Sequence, residues 1–248
     1  MASEIEREVL YEKVLIPIGK VWTQLPNTAL TGILSVRGAR FNQELMVVGR
    51  AVNGWDNEIL PKQLSDPKRA YQYSKEILTS CINESTCPLQ WVRDYWERQS
   101  DKRYCTGRSA FWRVIKRVSL ELPVSNDGEA NWSSYLAWSN LYKIAPKGGG
   151  NPDNKLCQIQ FAGCKELIQL ETLLLSPKRI VYLTGFDWAE TFIPSEPINI
   201  ERPGDMEYVC AKGHFLIDKA AAPTRFVVAM HPQGKSEDKW VEEVMRCF

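Results

Sequence analysis

The 248-residue sequence has no apolar run approaching the roughly 20 residues that a bilayer-spanning helix needs; its longest, such as Val14 to Gly19 and Ile180 to Gly185, stop well short. A transmembrane helix is excluded, and no membrane partner is expected. Nor is there an excess of either charge. Lys plus Arg number 31 against 30 Asp plus Glu, a net charge of +1, so any affinity for a polyanion must come from a local patch. The seven cysteines contain no Cys-x-x-Cys pair, and the first residues, Met-Ala-Ser-Glu-Ile-Glu-Arg-Glu, lack the basic start and apolar core of an export signal. Reduced, mostly core-filling thiols in a cytoplasmic protein are the expectation. Gly148-Gly149-Gly150 is not followed by the Lys-Ser/Thr of a phosphate-binding loop, which leaves a flexible loop as its reading. Internal repeats, low-complexity tracts and a linker are absent, so a single domain over residues 1–248 is expected.

What is present is a 44% apolar chain with nine Trp and nine Tyr, enough to bury a large core. Met46-Val47-Val48-Gly49 is a short apolar run ending in Gly, a buried strand entering a loop that carries Arg50 to Asp56. Helices are expected over Pro67–Ile82 and Pro88–Gln99. Phe111, Val114, Ile115 and Val118 recur at the i, i+3, i+4, i+7 spacing of an amphipathic helix, and Asn126-Asp127-Gly128 marks a turn. A strand beginning at Tyr135 places Asn140 at its end, and Lys155 to Leu175 follows as a helix stopped by Pro177. Arg179 to Gly185 and Arg225 to Met230 are strands, the first leading into a short helix from Asp187 to Phe192. A closing helix from Ser236 has a Ser cap and acids in its first turn. Strands alternating with helices imply a three-layer α/β/α domain around a mainly parallel sheet of about four strands. In such folds ligands bind beyond the carboxyl ends of the strands.

Three of those ends carry unusual peptides: Val48-Gly49-Arg50-Ala51-Val52-Asn53-Gly54-Trp55, Ser139-Asn140-Leu141-Tyr142-Lys143 and Met230-His231-Pro232-Gln233. In order and content they resemble the motifs of the uracil-DNA glycosylase superfamily, with a Gly-containing loop after the first strand, a Thr-Asn-x-x-Lys peptide and a final His-Pro. The stretch from Asn140 through Asn151-Pro152, Cys164 and Pro177 to Leu183-Thr184-Gly185 also resembles the iron–sulfur branch. There, however, Cys164 falls at one ligand position, Ile144 occupies another, and the N-terminal Cys-x-x-Cys is missing. No cluster and no other cofactor is expected.

The resemblance implies handling of a nucleobase in DNA, with hydrolysis of its N-glycosidic bond where the site is active. That chemistry requires a flipped base, a stacking ring, an edge-reading amide, a placed water and a donor to the departing base. By resemblance Asn140 reads the base edge, the loop at Gly49 borders the base, and His231 donates to the leaving base. Phe111 or Trp112 is the candidate stacking ring. Active members commonly place Asp, Asn or Glu within two residues of the loop Gly, where this chain has Arg50, Ala51 and Val52; Asn53 and Asp56 are the nearest replacements for the water-positioning group. From Trp91 to Arg117 eight basic residues, Arg108, Arg113 and Arg117 among them, stand against three acids, a candidate phosphate-binding segment interleaved with aromatics.

Each residue has a structural alternative. Asn140 would bond local backbone at a strand end, His231 would serve the turn before Pro232, Phe111 would pack in the core, and the basic segment would be a solvated helix face. At the level of function the alternatives are a non-catalytic nucleotide- or nucleic-acid-binding member of the same fold, or another small-molecule hydrolase using the strand-end pocket.

Overall fold

A computed structural model describes residues 2–25, 28–82, 87–97, 104–122, 124, 128–194, 199–216 and 223–248. Its elements in chain order are α1 (Ala2–Lys20), β1 (Leu30–Gly32), β2 (Val36–Arg37), β3 (Leu45–Ala51), α2 (Pro67–Ile82), α3 (Gln90–Asp94), α4 (Ala110–Glu121), β4 (Leu136–Tyr142), β5 (Ile144–Pro146), α5 (Asn154–Leu175), β6 (Arg179–Leu183), α6 (Phe186–Ala189), β7 (Asn199–Glu201), β8 (Val209–Phe215), β9 (Thr224–Ala229) and α7 (Glu237–Met245). The helix expected over residues 88–99 is shorter, and its last two residues lie outside the described set, as does most of the Asn126-Asp127-Gly128 turn.

The chain forms two compact units and passes between them five times: residues 1–35, 49–82 and 139–174 make one, and residues 36–48, 83–138 and 175–248 the other. In the first, Tyr11, Val14, Leu15 and Ile18 lie on one face of α1 and are fully buried, the i, i+3, i+4, i+7 pattern of a helix docked by its apolar stripe. α1 meets α5 at Gly163, where a Cβ would come within 2.8 Å of the Val14 side chain and 3.1 Å of the backbone at Lys13 and Val14. The Lys13–Glu166 ion pair, at 2.8 Å, links the same two helices. β1 and β5 pair antiparallel, Leu30 opposite Pro146 and Gly32 opposite Ile144.

The second unit is built on a seven-stranded sheet in the order β2-β4-β3-β6-β9-β8-β7. β3, β6 and β9 pair parallel, Val47 opposite Val181 and Val181 opposite Val227, and these buried apolar runs are what parallel strands covered on both faces look like. The outer pairs, β2 with β4, β9 with β8 and β8 with β7, are antiparallel. The expected mainly parallel sheet of about four strands is therefore corrected to a seven-stranded mixed sheet in a mixed α/β fold. The missing strands have physical reasons: β2 and β7 are two and three residues long, and β8, Val-Cys-Ala-Lys-Gly-His-Phe, alternates buried with half-buried residues and carries no apolar run. No described helix is long and apolar enough to cross a membrane.

Candidate functional site

The nominated residues fall into two sets, Gly49, Asn53, Asp56 and Asn140 in the first unit and Phe111, Trp112, Arg108, Arg113, Arg117 and His231 in the second. Gly49 lies inside β3, which continues to Ala51, so the loop begins at buried Val52 rather than directly after Gly49. Arg50 is half-buried, and burial lowers its pKa from the ordinary guanidinium value.

Successive side chains on a strand point to opposite faces, and β4 uses the two faces differently. Ser139 donates to Glu171 Oε2 at 2.7 Å and accepts from Lys143 Nζ at 2.7 Å. Lys143 Nζ reaches the same carboxylate oxygen at 2.6 Å, with both side chains fully buried. The Ser35 amide donates to Glu171 Oε1 at 2.7 Å. Burial alone would raise the Glu171 pKa; the charges of Lys143 and Arg7 and hydrogen bonds from Lys143 and Ser139 outweigh it and hold the carboxyl below its ordinary range. Lys143, the last residue of the resembling peptide, is thus committed to the interior of this unit. Asn140, between them in sequence, is 2% exposed, and its Nδ2 has no hydrogen-bond partner among the described residues. An unmet buried amide donor costs about 1–3 kcal/mol, and native interiors leave few such groups.

Asn53 is exposed, and its Oδ1 accepts from the Gly150 amide at 2.9 Å. A Cβ at Gly149, which has a φ of +94°, would come within 2.9 Å of the same oxygen. Lys147 Nζ donates to the Trp55 carbonyl at 2.6 Å, so the loop after β3 is tied to the glycine loop at two points. Asp56 is exposed. The firmly held residue here is one that sequence reasoning missed: Asn57 Oδ1 accepts from Thr31 Oγ1 and the Gly32 amide, both at 2.8 Å, and Nδ2 donates to the Gly32 carbonyl at 2.6 Å. The carboxamide imitates a strand partner for β1, a role with no sequence signature. Cys164, at the position resembling an iron–sulfur ligand, is fully buried with its sulfur 3.3 Å from Gln160 Oε1 and 3.4 Å from the Lys143 amide.

In the second unit His231 lies two residues beyond β9, half-buried. Its Nδ1 accepts from the Gln233 amide at 3.3 Å, which places the proton of the neutral ring on Nε2 and makes that nitrogen a donor. The preceding peptide is fixed by Trp240, whose Nε1 donates to the Met230 carbonyl at 2.8 Å. Half-buried Phe111, at the start of α4, stacks on the His231 ring with centroids 6.4 Å apart and planes 28° from parallel. Trp112, the other stacking candidate, is corrected to a core ring. It is 2% exposed and enclosed by Phe111, Trp138 and Trp91 at centroid distances of 5.0, 5.4 and 5.5 Å.

Part of the basic segment is held by acids. Arg113 Nε faces both Glu237 oxygens at 3.0 and 3.1 Å, its Nη2 pairs with Oε1, and Nη1 donates to the Gly107 carbonyl at 3.1 Å. The hydrogen bond and charge of Glu237 raise the Arg113 pKa against a smaller opposing effect of burial. Arg117 pairs with Asp238 at 2.7 Å, and Lys116 pairs with Glu129 and lies 4.6 Å over the Trp96 ring. Arg108 is exposed and meets no carboxylate among the described residues. Three of the eight basic residues counted along the sequence are thus paired with acids from outside the segment. Arg98, Lys102 and Arg103 lie outside the described residues. No group of three or more His, Cys, Asp or Glu among the described residues is arranged to hold a metal. No protein-family model and no curated protein sequence matches the chain.

Proposed function

We propose that Asn140 reads the edge of a nucleobase, in the way implied by the chain's resemblance to the uracil-DNA glycosylase superfamily. The observation that carries this reading is the buried Asn140 Nδ2 without a partner among the described residues. A ligand carbonyl would satisfy it, and carbonyl-bearing bases such as uracil, hypoxanthine and xanthine present that acceptor. The resemblance gives His231 the leaving-base role and Phe111 the stacking role; both belong to the second unit, and the reading of Asn140 stands without them. Asp56 is the remaining candidate for placing water, because the Asn53 oxygen already serves the Gly150 amide. Whether a glycosidic bond is cut then depends on a nucleophile held by the loop after β3.

The test is a panel of uracil, hypoxanthine and xanthine, offered as free bases and within oligonucleotides, with binding followed by tryptophan fluorescence and base release by chromatography. Wild-type protein should bind at least one base, and His231→Ala should retain binding while any turnover falls about 100- to 1,000-fold. Failure of every base to bind would overturn the reading. A second reading, recognition of a free base or nucleoside without a DNA backbone, is favoured by one observation: Arg113 and Arg117 are already paired with Glu237 and Asp238. The free-base arm of the panel separates the two.

A further inference from the structure

Asn53-Gly54 is the one Asn-Gly pair in the sequence, and both residues are exposed in the loop after β3. A glycine leaves its backbone nitrogen open to close approach. A Cβ at Gly54 would meet nothing nearer than the Lys147 carbonyl oxygen, at 3.9 Å, so the chain is not walled in at this point. A nucleophile one peptide bond from an amide carbon is also the intramolecular case in which proximity counts most.

The Asn53 carboxamide is held by one end. Its Oδ1 accepts from the Gly150 amide at 2.9 Å, and Nδ2 donates to no acceptor among the described residues. Gly149, with a φ of +94°, lets the glycine loop come this close, since a Cβ there would lie 2.9 Å from the same oxygen. Asn57 is the opposite case: β1 engages its oxygen through Thr31 and Gly32, and its nitrogen donates to the Gly32 carbonyl at 2.6 Å. A backbone N–H at hydrogen-bond distance from a carbonyl oxygen is the arrangement that stabilises negative charge when the attached carbon is attacked.

We infer that Asn53-Gly54 is a self-modifying site, at which the Gly54 backbone nitrogen displaces ammonia from the Asn53 side chain while the Gly150 amide stabilises the oxyanion. Solvent hydroxide takes the Gly54 N–H proton, the nitrogen pair forms a bond to Asn53 Cγ, and the carbonyl pair moves onto Oδ1. Collapse of that oxyanion breaks the Cγ–Nδ2 bond; the departing nitrogen takes a proton from water and leaves as ammonia, which restores the hydroxide. Water then opens the cyclic imide, at Cγ to give aspartate or at the main-chain carbonyl to give isoaspartate. The net change exchanges ammonia for water and needs no oxidant or reductant. Aspartate keeps an acceptor for the Gly150 amide. Isoaspartate routes the chain through Cβ and Cγ and moves the acceptor away, which releases one of the two ties between the loops. The inference is independent of the reading of Asn140.

The experiment incubates the full chain in buffer and in urea and follows the peptide carrying residue 53 by mass spectrometry, with isoaspartate detected by enzymatic methylation. In the folded chain residue 53 should be converted faster than Asn57, and about tenfold or more faster than in urea, where the Gly150 donor is lost. The rate should rise about tenfold per pH unit, because the attacking nitrogen is the deprotonated amide. Gly54→Ala should slow conversion about tenfold by crowding that nitrogen. Lys147→Met, which removes the other tie between the loops and loosens the Gly150 donor, should bring the folded rate toward the urea rate. Hydrogen exchange at Gly150 should quicken in step with isoaspartate. An unmodified residue 53 in the folded chain would overturn the inference. So would conversion no faster in the folded chain than in urea, since the pair would then be labile by sequence alone and not by the site built around it.

Discussion

Ser139, Lys143 and Asn140 come from one five-residue peptide, yet the structure treats them in opposite ways. The first two close a network around Glu171 in which the partners are 2.6 to 2.7 Å apart and fully or almost fully buried. Asn140 is equally buried and leaves a donor unmet among the described residues. Burial of a polar group is therefore no guide to its role by itself.

The sharpest way to break the comparison is to unbalance the satisfied side. Lys143→Met alone strands the Glu171 carboxylate in the interior and should cost about 3–5 kcal/mol in urea unfolding. Lys143→Met with Glu171→Leu should recover most of that loss, because two apolar groups replace two charges. A single substitution costing less than about 1 kcal/mol would mean that the pair does not anchor this unit. The network also gives the fold an acid sensitivity. The folded Glu171 pKa lies below the ordinary 4.5, so the native state binds the proton less readily than the unfolded chain. The stability it contributes is complete above the unfolded value and is lost as pH falls through the depressed folded one. The double variant should lose that part of the acid unfolding.

None of this was legible in the sequence, because Glu171 is 28 residues from Lys143 and 32 from Ser139 and nothing in a helix-forming segment marks one carboxylate as the partner. The same distance hid the pairing of Arg113 and Arg117, whose acids lie 124 and 121 residues away; counting charge along a window misses neutralisation through space. By contrast β3, β6 and β9 were legible as buried apolar runs, and α4, α5 and α7 as periodic or capped segments, because those signals are local. The mixed character of the sheet was not, since the strands it adds, β2, β7 and β8, are short or half-exposed. Asn140 was expected at a strand end, whereas β4 runs on past it to Tyr142; that its amide nitrogen is unmet could be learned only from the fold.

A smaller effect sharpens the contrast from the exposed side. Asn53→Ala removes the acceptor of the Gly150 amide and should cost about 0.5–1.5 kcal/mol while hastening hydrogen exchange at that amide. Asn53→Asp keeps the acceptor and should restore protection. If Asn53→Ala leaves exchange at Gly150 unchanged, the tie between the two loops is not what holds them.

The smallest effect on stability belongs to the residue on which the functional reading depends. Asn140→Leu replaces the unmet amide with an apolar side chain of similar size, and removal of an unsatisfied buried group is neutral or favourable to the fold. The decisive measurement pairs the urea midpoint of Asn140→Leu with its affinity for uracil, hypoxanthine and xanthine. An unchanged or raised midpoint together with lost base binding is the predicted result. A midpoint lowered by about 1–3 kcal/mol, with base binding intact, would make Asn140 a structural residue and contradict its assignment as the reader of a base.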